Sequence, residues 1–296
     1  MLNFVAMKQK ELSLSKGLNR LLAKPVAGRM IGKIKIFGPI VPGSAPVSQF
    51  RGVSSDRILQ KIKWAQDHGV RALIFEINSP GGSVLPSKEI ADAIKRLKTP
   101  TVAWVRDMAA SGGYWIASAC DRIVADPCSG VGSIGVISIH LEFSELMKKF
   151  GVGYEGFKTG DYKDMGVPFR KTTAKEKASI QEHIEKIHKM FVDSVAENRG
   201  LDAKRIAKLA DGRLYLGEEA KKDGLVDKLG GRAEAIKQCE ALGNFKHLMV
   251  AEIEDFREEL FFMMRSFMSM APGEIGRGIA GGISDLLSAG QGINFK

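Results

Sequence analysis

Ser111 stands before two glycines in the run Ala109-Ala110-Ser111-Gly112-Gly113, and a helical stretch follows from Tyr114. That setting puts a hydroxyl at a helix N-terminus, where unpaired N–H groups point outward. A serine so placed can attack a carbonyl carbon, and the resulting oxyanion can rest on the N–H of Gly112. A second turn, Ser79-Pro80-Gly81-Gly82, comes after another apolar run. It can supply a second donor, because glycine lets backbone approach closely. Either turn alone is a weak signal, and two simple tight turns would look the same.

A serine hydroxyl needs a base to take its proton. Two candidates lie further along the chain. His140 comes after the apolar run 131–137, but no Asp is marked to orient it. Lys163 lies in the polar loop Thr159-Gly160-Asp161-Tyr162-Lys163-Asp164-Met165-Gly166. Spacing does not choose between them. The three cysteines, Cys120, Cys128 and Cys239, and the five histidines form no metal-ligand spacing, so no metal and no cofactor are expected.

The elements around these residues alternate in type. Met30–Phe37 is β-rich and ends at Gly38-Pro39. Ser54 or Ser55 can cap a helix running through His68, with Gly69 as its stop. The dense apolar run 71–77 reads as a buried strand. A helix with Ile90, Ala93, Ile94 and Leu97 on one face comes next, closed by Pro100. Further strands are expected at 101–105, 122–125, 131–137 and 152–157, with a short helix at 143–150. Thr173 and Glu176 form a capping box for a long helix to about Asn198, and 201–243 reads as helical with Gly breaks. Strands alternating with helices imply an α/β core with largely parallel strands.

The 296 residues suffice for a large core, and 26% charged residues is ordinary for a globular chain. The net charge of +10 is partly local: residues 1–29 carry six Lys or Arg against one Glu. With no nucleic-acid signature beside it, this reads as a basic amphipathic arm over 1–28. No apolar stretch reaches the ~20 residues of a membrane span, and no secretory signal is visible. A cytoplasmic protein, or one peripheral at a membrane, is therefore expected. The stretch 252–270 is a Phe- and Met-rich helix candidate, suited to a subunit interface or a shallow membrane contact. The domains expected are the arm 1–28, a catalytic domain 29–245 and a C-terminal extension 246–296.

Several ordered motifs together resemble the signal peptide peptidase A family of serine–lysine peptidases. They are Gly38-Pro39-Ile40-Val41, Ile77-Asn78-Ser79-Pro80-Gly81-Gly82, Ala110-Ser111-Gly112-Gly113-Tyr114-Trp115-Ile116-Ala117, Gly132-Ser133-Ile134-Gly135-Val136-Ile137, Gly160-Asp161-Tyr162-Lys163-Asp164, Gly212-Arg213-Leu214-Tyr215 and Gly224-Leu225-Val226-Asp227. The resemblance implies a crotonase-like, Clp-protease-like α/β superhelix of β-β-α units, here with a helical C-terminal extension. It implies Ser111 as nucleophile, Lys163 as base, and the N–H groups of Gly82 and Gly112 as the oxyanion hole. Ser133 would hydrogen-bond the lysine. It also implies peptide substrates, such as signal-peptide remnants or other unfolded apolar peptides, and a homo-oligomeric ring in which a neighbour donates the lysine. Two departures stand out: no membrane anchor is visible, and the Phe- and Met-rich tail has no counterpart. The rival readings are an acyl-CoA enzyme of crotonase type, an inactive scaffold, and a Ser–His peptidase using His140.

Overall fold

The computed structural model describes residues 30–43 and 52–253. The expected arm at 1–28 lies outside the described residues, as does the 246–296 extension beyond residue 253, with all but the first two residues of its helix candidate at 252–270.

Strands β1 (Met30–Phe37), β4 (Ala72–Ser79), β5 (Thr101–Ala110), β6 (Arg122–Ala125) and β9 (Lys228–Leu229) lie side by side in that order, with β10 (Met249–Glu252) beyond β1. Strands β2 (Ile40–Val41) and β3 (Val53–Ser54) form a separate parallel pair. The pairs β1–β4, β4–β5, β5–β6 and β6–β9 are all parallel. Parallel strands must be covered on both faces, and Ala72–Ile77 is correspondingly a run of apolar residues broken only by Glu76, all buried. Glu76 is 3% exposed, bonded by Arg106 at 2.6 Å and paired with Lys33 at 2.8 Å. Burial alone would raise its pKa, but the two cations hold it below the ordinary value.

One face of the sheet packs Ile31, Ala72, Ile74, Val102, Trp104 and Val124 against Ala235 and Cys239 of helix α8 (Arg232–Gly243). Preceding helices are α1 (Ser55–His68), α2 (Val84–Lys95), α3 (Gly112–Ser118), α4 (Ser144–Lys149), α5 (Ala174–Arg199), α6 (Ala203–Leu209) and α7 (Gly217–Lys222). Helix α1 ends as expected at Gly69, which adopts φ 66°, ψ 43°. Ser54 takes its N-cap position, but its hydroxyl makes no capping bond. The capping box of α5 is formed: Glu176 N–H donates to Thr173 Oγ1 at 3.2 Å and Thr173 N–H to Glu176 Oε2 at 2.8 Å.

The most consequential detail is in β5. Its first half pairs with β6, and its second half pairs with β7 (Gly130–Gly132): Met108↔Gly130, Ala109↔Val131, Ala110↔Gly132. Between the halves the register against β4 slips, from Ile77↔Val105 to Ser79↔Ala109. Asn78 fills the slip. Its Nδ2 donates to Asp107 Oδ2 at 2.8 Å, and its Oδ1 accepts from Met108 N–H at 3.2 Å. Ser129 Oγ holds the other side, donating to Arg106 O at 2.5 Å. A bulge of this kind bends a strand and re-aims the residues after it. The residue that directly follows β5 is Ser111.

Three expectations fail. The run 131–137 yields only the last two residues of β7, and 152–157 forms no strand. The stretch 201–243 is not all helical, since it holds β8 (Leu214–Leu216), antiparallel to β7, and β9.

Candidate active site

Ser111 links the end of β5 to the start of α3 with φ 50° and ψ −123°. An L residue adopts this conformation at a cost of about 1–3 kcal/mol, so its surroundings must impose it. They do. Ser111 N–H donates to Gly132 O at 2.8 Å, and Ser111 O accepts from Tyr114 N–H at 2.9 Å and Trp115 N–H at 3.0 Å. Helix α3 is buried along its whole length. Tyr114 donates its hydroxyl to Leu225 O at 2.9 Å. Trp115 stacks on Phe191 of α5, with centroids 4.5 Å apart, and donates Nε1–H to Ser194 Oγ at 2.9 Å. A serine on a sharp, strained strand-to-helix turn is the arrangement that exposes a nucleophile at the end of a sheet.

The second Gly turn packs directly on the first. A Cβ placed on Gly81 would lie 2.8 Å from both Gly112 N and Ser111 Cβ. Gly81 and Gly82 take φ 96° and 156°. The turn is fixed from below: Ser79 Oγ donates to Gly38 O at 2.7 Å, Ile40 N–H to Gly81 O at 2.8 Å, and Ser83 N–H to Ile40 O at 2.8 Å. Gly81 N–H is spent on Ser79 Oγ at 3.1 Å. The N–H groups of Gly82 and Gly112 have no acceptor among the described residues. Ser111 thus stands between two turns that each offer one unspent donor.

Ser133 is brought close through β7, directly after Gly132. It too has a left-handed φ of 50°, and its N–H donates to Arg213 O at 2.8 Å. Lys163 and His140 are not joined to Ser111 by a hydrogen bond among the described residues. Lys163 is exposed in the 159–166 turn, its own N–H donating to Gly160 O at 3.3 Å, and its ammonium has no partner among the described residues. His140 is also exposed; its Nε2 lies 2.9 Å from Ser138 Oγ, and its ring lies against Gly166.

The loop bearing Lys163 is nonetheless firmly tied. Lys158 Nζ reaches Asp164 Oδ1 at 2.5 Å, and Arg170 grips Asp164 and Glu176 together. Arg170, followed by Lys158, holds the Asp164 carboxyl far below the usual carboxylate range. Arg170, with the Thr173 N–H, holds Glu176 down at about 2. Sequence reasoning missed Asn78 and Arg170. Asn78 was visible only as part of a loop motif, and Arg170 had no signal beyond its charge.

Among the described residues no group of His, Cys, Asp and Glu is arranged to hold a metal ion, and no helix is long and apolar enough to cross a membrane.

Known proteins carry the same pattern. Residues 93–246 match the model of peptidase family S49, and residues 5–149 match that of the ClpP-like SDH-type serine proteinases. A protein of Methanocaldococcus jannaschii, provisionally named a protease, is 37% identical over 233 residues, 78% of this chain and 73% of that protein. A protein of Enterococcus faecium, provisionally named signal peptide peptidase SppA, is 34% identical over 80% of this chain and 70% of its own length. Protease 4 of Haemophilus influenzae is 32% identical over 78% of this chain, which is 37% of that longer protein. Among solved structures, a serine-to-alanine mutant of the membrane-bound stomatin-specific protease 1510-N shares the fold, with a TM-score of 0.50 and 18% identity over 77% of this chain and 98% of that one. The expected Clp-protease-like α/β architecture is therefore the observed one. Family membership sets aside the acyl-CoA reading: with a strained serine turn on a ClpP-like sheet and this identity over most of its length, the chain belongs to peptidase family S49 and is a serine peptidase.

Proposed function

We propose that Ser111 is the nucleophile and Lys163 the general base of a Ser–Lys dyad, with the N–H groups of Gly82 and Gly112 as oxyanion hole. The observation that carries this reading is the left-handed Ser111 turn, packed against a second Gly turn with one unspent N–H in each. Ser111 Oγ bonds to the scissile carbonyl carbon while its proton passes to the Lys163 amine. The oxyanion takes two backbone hydrogen bonds, each donor of this kind being worth about 10²–10³ in kcat. The C–N bond then breaks, the lysine returns the proton to the leaving amine, and water cleaves the acyl-enzyme by the same route. Lysine serves only as the free amine, and an ammonium in water keeps its proton to about pH 10.4; burial in a closed site is what lowers that figure.

The lysine is supplied by a neighbouring subunit of a homo-oligomeric ring. Its exposed ammonium supports this. So do the apolar side chains bared on the same segment: Ile137, Ile139, Phe150 and Phe157 are each at least 75% exposed. Ser133 hydrogen-bonds the lysine once it is delivered. The substrates are unfolded or apolar peptides, signal-peptide remnants among them. We further propose that residues 29–245 are the peptidase domain, to whose sheet β10 at the start of the extension adds an edge strand, and that the protein is cytoplasmic or peripheral at a membrane.

The test is cleavage of an unfolded apolar polypeptide by wild type, Ser111→Ala, Lys163→Ala and an equimolar mixture of the two variants, with assembly matched by size. Each variant alone should be inactive, and co-assembly should restore part of the activity. Turnover by Lys163→Ala alone would overturn the dyad and direct attention to His140.

A further inference from the structure

Arg170 occupies an unusual position between two carboxylates, each six residues away along the chain. Its Nε and Nη2 donate to the two oxygens of Asp164 at 2.9 and 2.8 Å, and Nη2 also reaches Asp164 O at 3.3 Å. Toward the other side, Nη1 donates to Glu176 Oε2 at 2.9 Å and Nη2 to Glu176 Oε1 at 2.5 Å. The three side chains are largely withdrawn from water, at 24% exposed for Arg170, 18% for Asp164 and 3% for Glu176. Asp164 is the residue after Lys163. Glu176 is the N3 residue of α5, fixed by its capping box. At its far end α5 is buried through Phe191 and Val195 and anchored by Arg199, which donates to both oxygens of Asp227 at 3.0 and 2.9 Å. A continuous rigid path therefore runs from the sheet, along α5, through one guanidinium, to the loop that carries Lys163.

We propose that Arg170 is the positioning residue for the general base: it clamps the Lys163 loop onto the N-terminus of α5 and balances the carboxylates of Asp164, the next residue in the chain, and Glu176. The proposal rests on the reading of Lys163 as base. Both effects need a guanidinium. Its planar fork serves two carboxylates at once, which the point charge of a lysine cannot do. Its charge, with that of Lys158, cancels Asp164 and Glu176. Among the other charged groups of this region, Lys171 pairs with Glu145 at 2.8 Å and Lys148 with the same carboxylate at 3.3 Å, Glu142 is near Lys171, and Asp161 stands exposed two residues before Lys163. Removing the Arg170 charge leaves an excess carboxylate on the segment that carries Lys163, and an anion brought near an amine favours its ammonium form.

Two consequences are separable by experiment. In Arg170→Met the loop loses its clamp, and a reacting group displaced by about 1 Å costs on the order of 10²-fold in rate. We expect kcat to fall between about 10- and 100-fold, KM to stay near the wild-type value, and the pH–rate profile to move toward higher pH. Arg170→Lys keeps the charge without the fork, so its pH profile should return to that of wild type while kcat recovers only in part. The measurements are steady-state kinetics on a fluorogenic apolar peptide from pH 6 to 10, with oligomer size checked for every variant and Lys163→Ala run beside them. Wild-type kcat and profile in Arg170→Met would overturn the positioning role. So would a loss of kcat with no displaced profile and no recovery in Arg170→Lys, which is the signature of a merely structural residue. An active Lys163→Ala would instead remove the reading on which the proposal stands.

Discussion

Gly81→Ala tests the catalytic geometry without replacing any residue assigned to the chemistry. Gly81 has φ 96°, a conformation that costs an L residue about 1–2 kcal/mol. The new Cβ would stand 2.8 Å from Gly112 N, 2.8 Å from Ser111 Cβ and 2.9 Å from Ala110 O. Two of these three neighbours are backbone atoms and cannot swing aside. Restoring ordinary contact requires the two turns to part by about 0.6 Å. That shift carries the Gly112 N–H out of hydrogen-bonding range of an oxyanion bound on Gly82, since N–H···O bonds span only about 2.7–3.2 Å. Losing one oxyanion donor costs about 10²–10³ in kcat, so a loss near 10² is expected with KM little changed. Gly69→Ala is the matched control. Gly69 has φ 66° but nothing within 4 Å of its added Cβ, so it suffers the backbone strain alone. Gly69→Ala should unfold earlier in urea by about 1–2 kcal/mol and Gly81→Ala by more than that, because the clash adds to the strain, and only Gly81→Ala should lose turnover. The assay is initial rate per folded protein on a peptide amide. If Gly81→Ala turns over within threefold of Gly69→Ala, the apposition of the two turns is not what catalysis uses.

Two further outcomes are expected. Glu176 is held at about 2 in the folded chain, against a reference near 4.3 in the unfolded chain. Between those values the unfolded chain binds more protons, so this contribution to stability is complete above about pH 4.3 and disappears as pH falls toward 2. Urea midpoints measured from pH 7 to 2.5 should show a shallower acid decline in Glu176→Gln than in wild type; parallel curves would refute it. The thiols should separate by reactivity: burial drives Cys120 well above the ordinary value and pushes Cys239 up to about 12, while Cys128 is exposed. A thiol reagent at neutral pH should modify one cysteine in the native chain and all three after unfolding; rapid loss of a second native thiol would contradict the packing around α3 and α8.

The legible elements were those with internal periodicity or a local stop signal. The apolar run of β4, Gly69 after α1, and the Thr173–Glu176 box each act within a few residues, and the structure keeps all three. What could not be read depends on partners distant in sequence. Strand β8 is three residues long and β9 two; neither has room for a period, and each is a strand because β7 or β6 offers it an edge. The end of β5 was hidden because Arg106 and Asp107 break its apolar run, as they must where the strand slips register and turns polar residues outward. At the site, the two Gly turns were legible because each is a short motif. Their contact was not, since it depends on the β4–β5 register and on Asn78.

The run 152–157 is the instructive failure. Its residues suit a strand, yet among the described residues no strand pairs with it, and Phe157 is left 90% exposed. A β pattern needs an edge as well as a sequence. The same segment leads into the Lys163 loop, so the exposed apolar side chains and the exposed lysine belong to one stretch of chain. Burying the first against a neighbouring subunit is, on the proposed reading, what desolvates the second. On the proposed reading, assembly and the lowering of the lysine's proton affinity are one event, and an isolated subunit holds a strained serine with its oxyanion donors formed and no base in reach. The Arg170 clamp fits this division of labour: it gives the loop a fixed shape on its own chain, so a neighbour need only receive it.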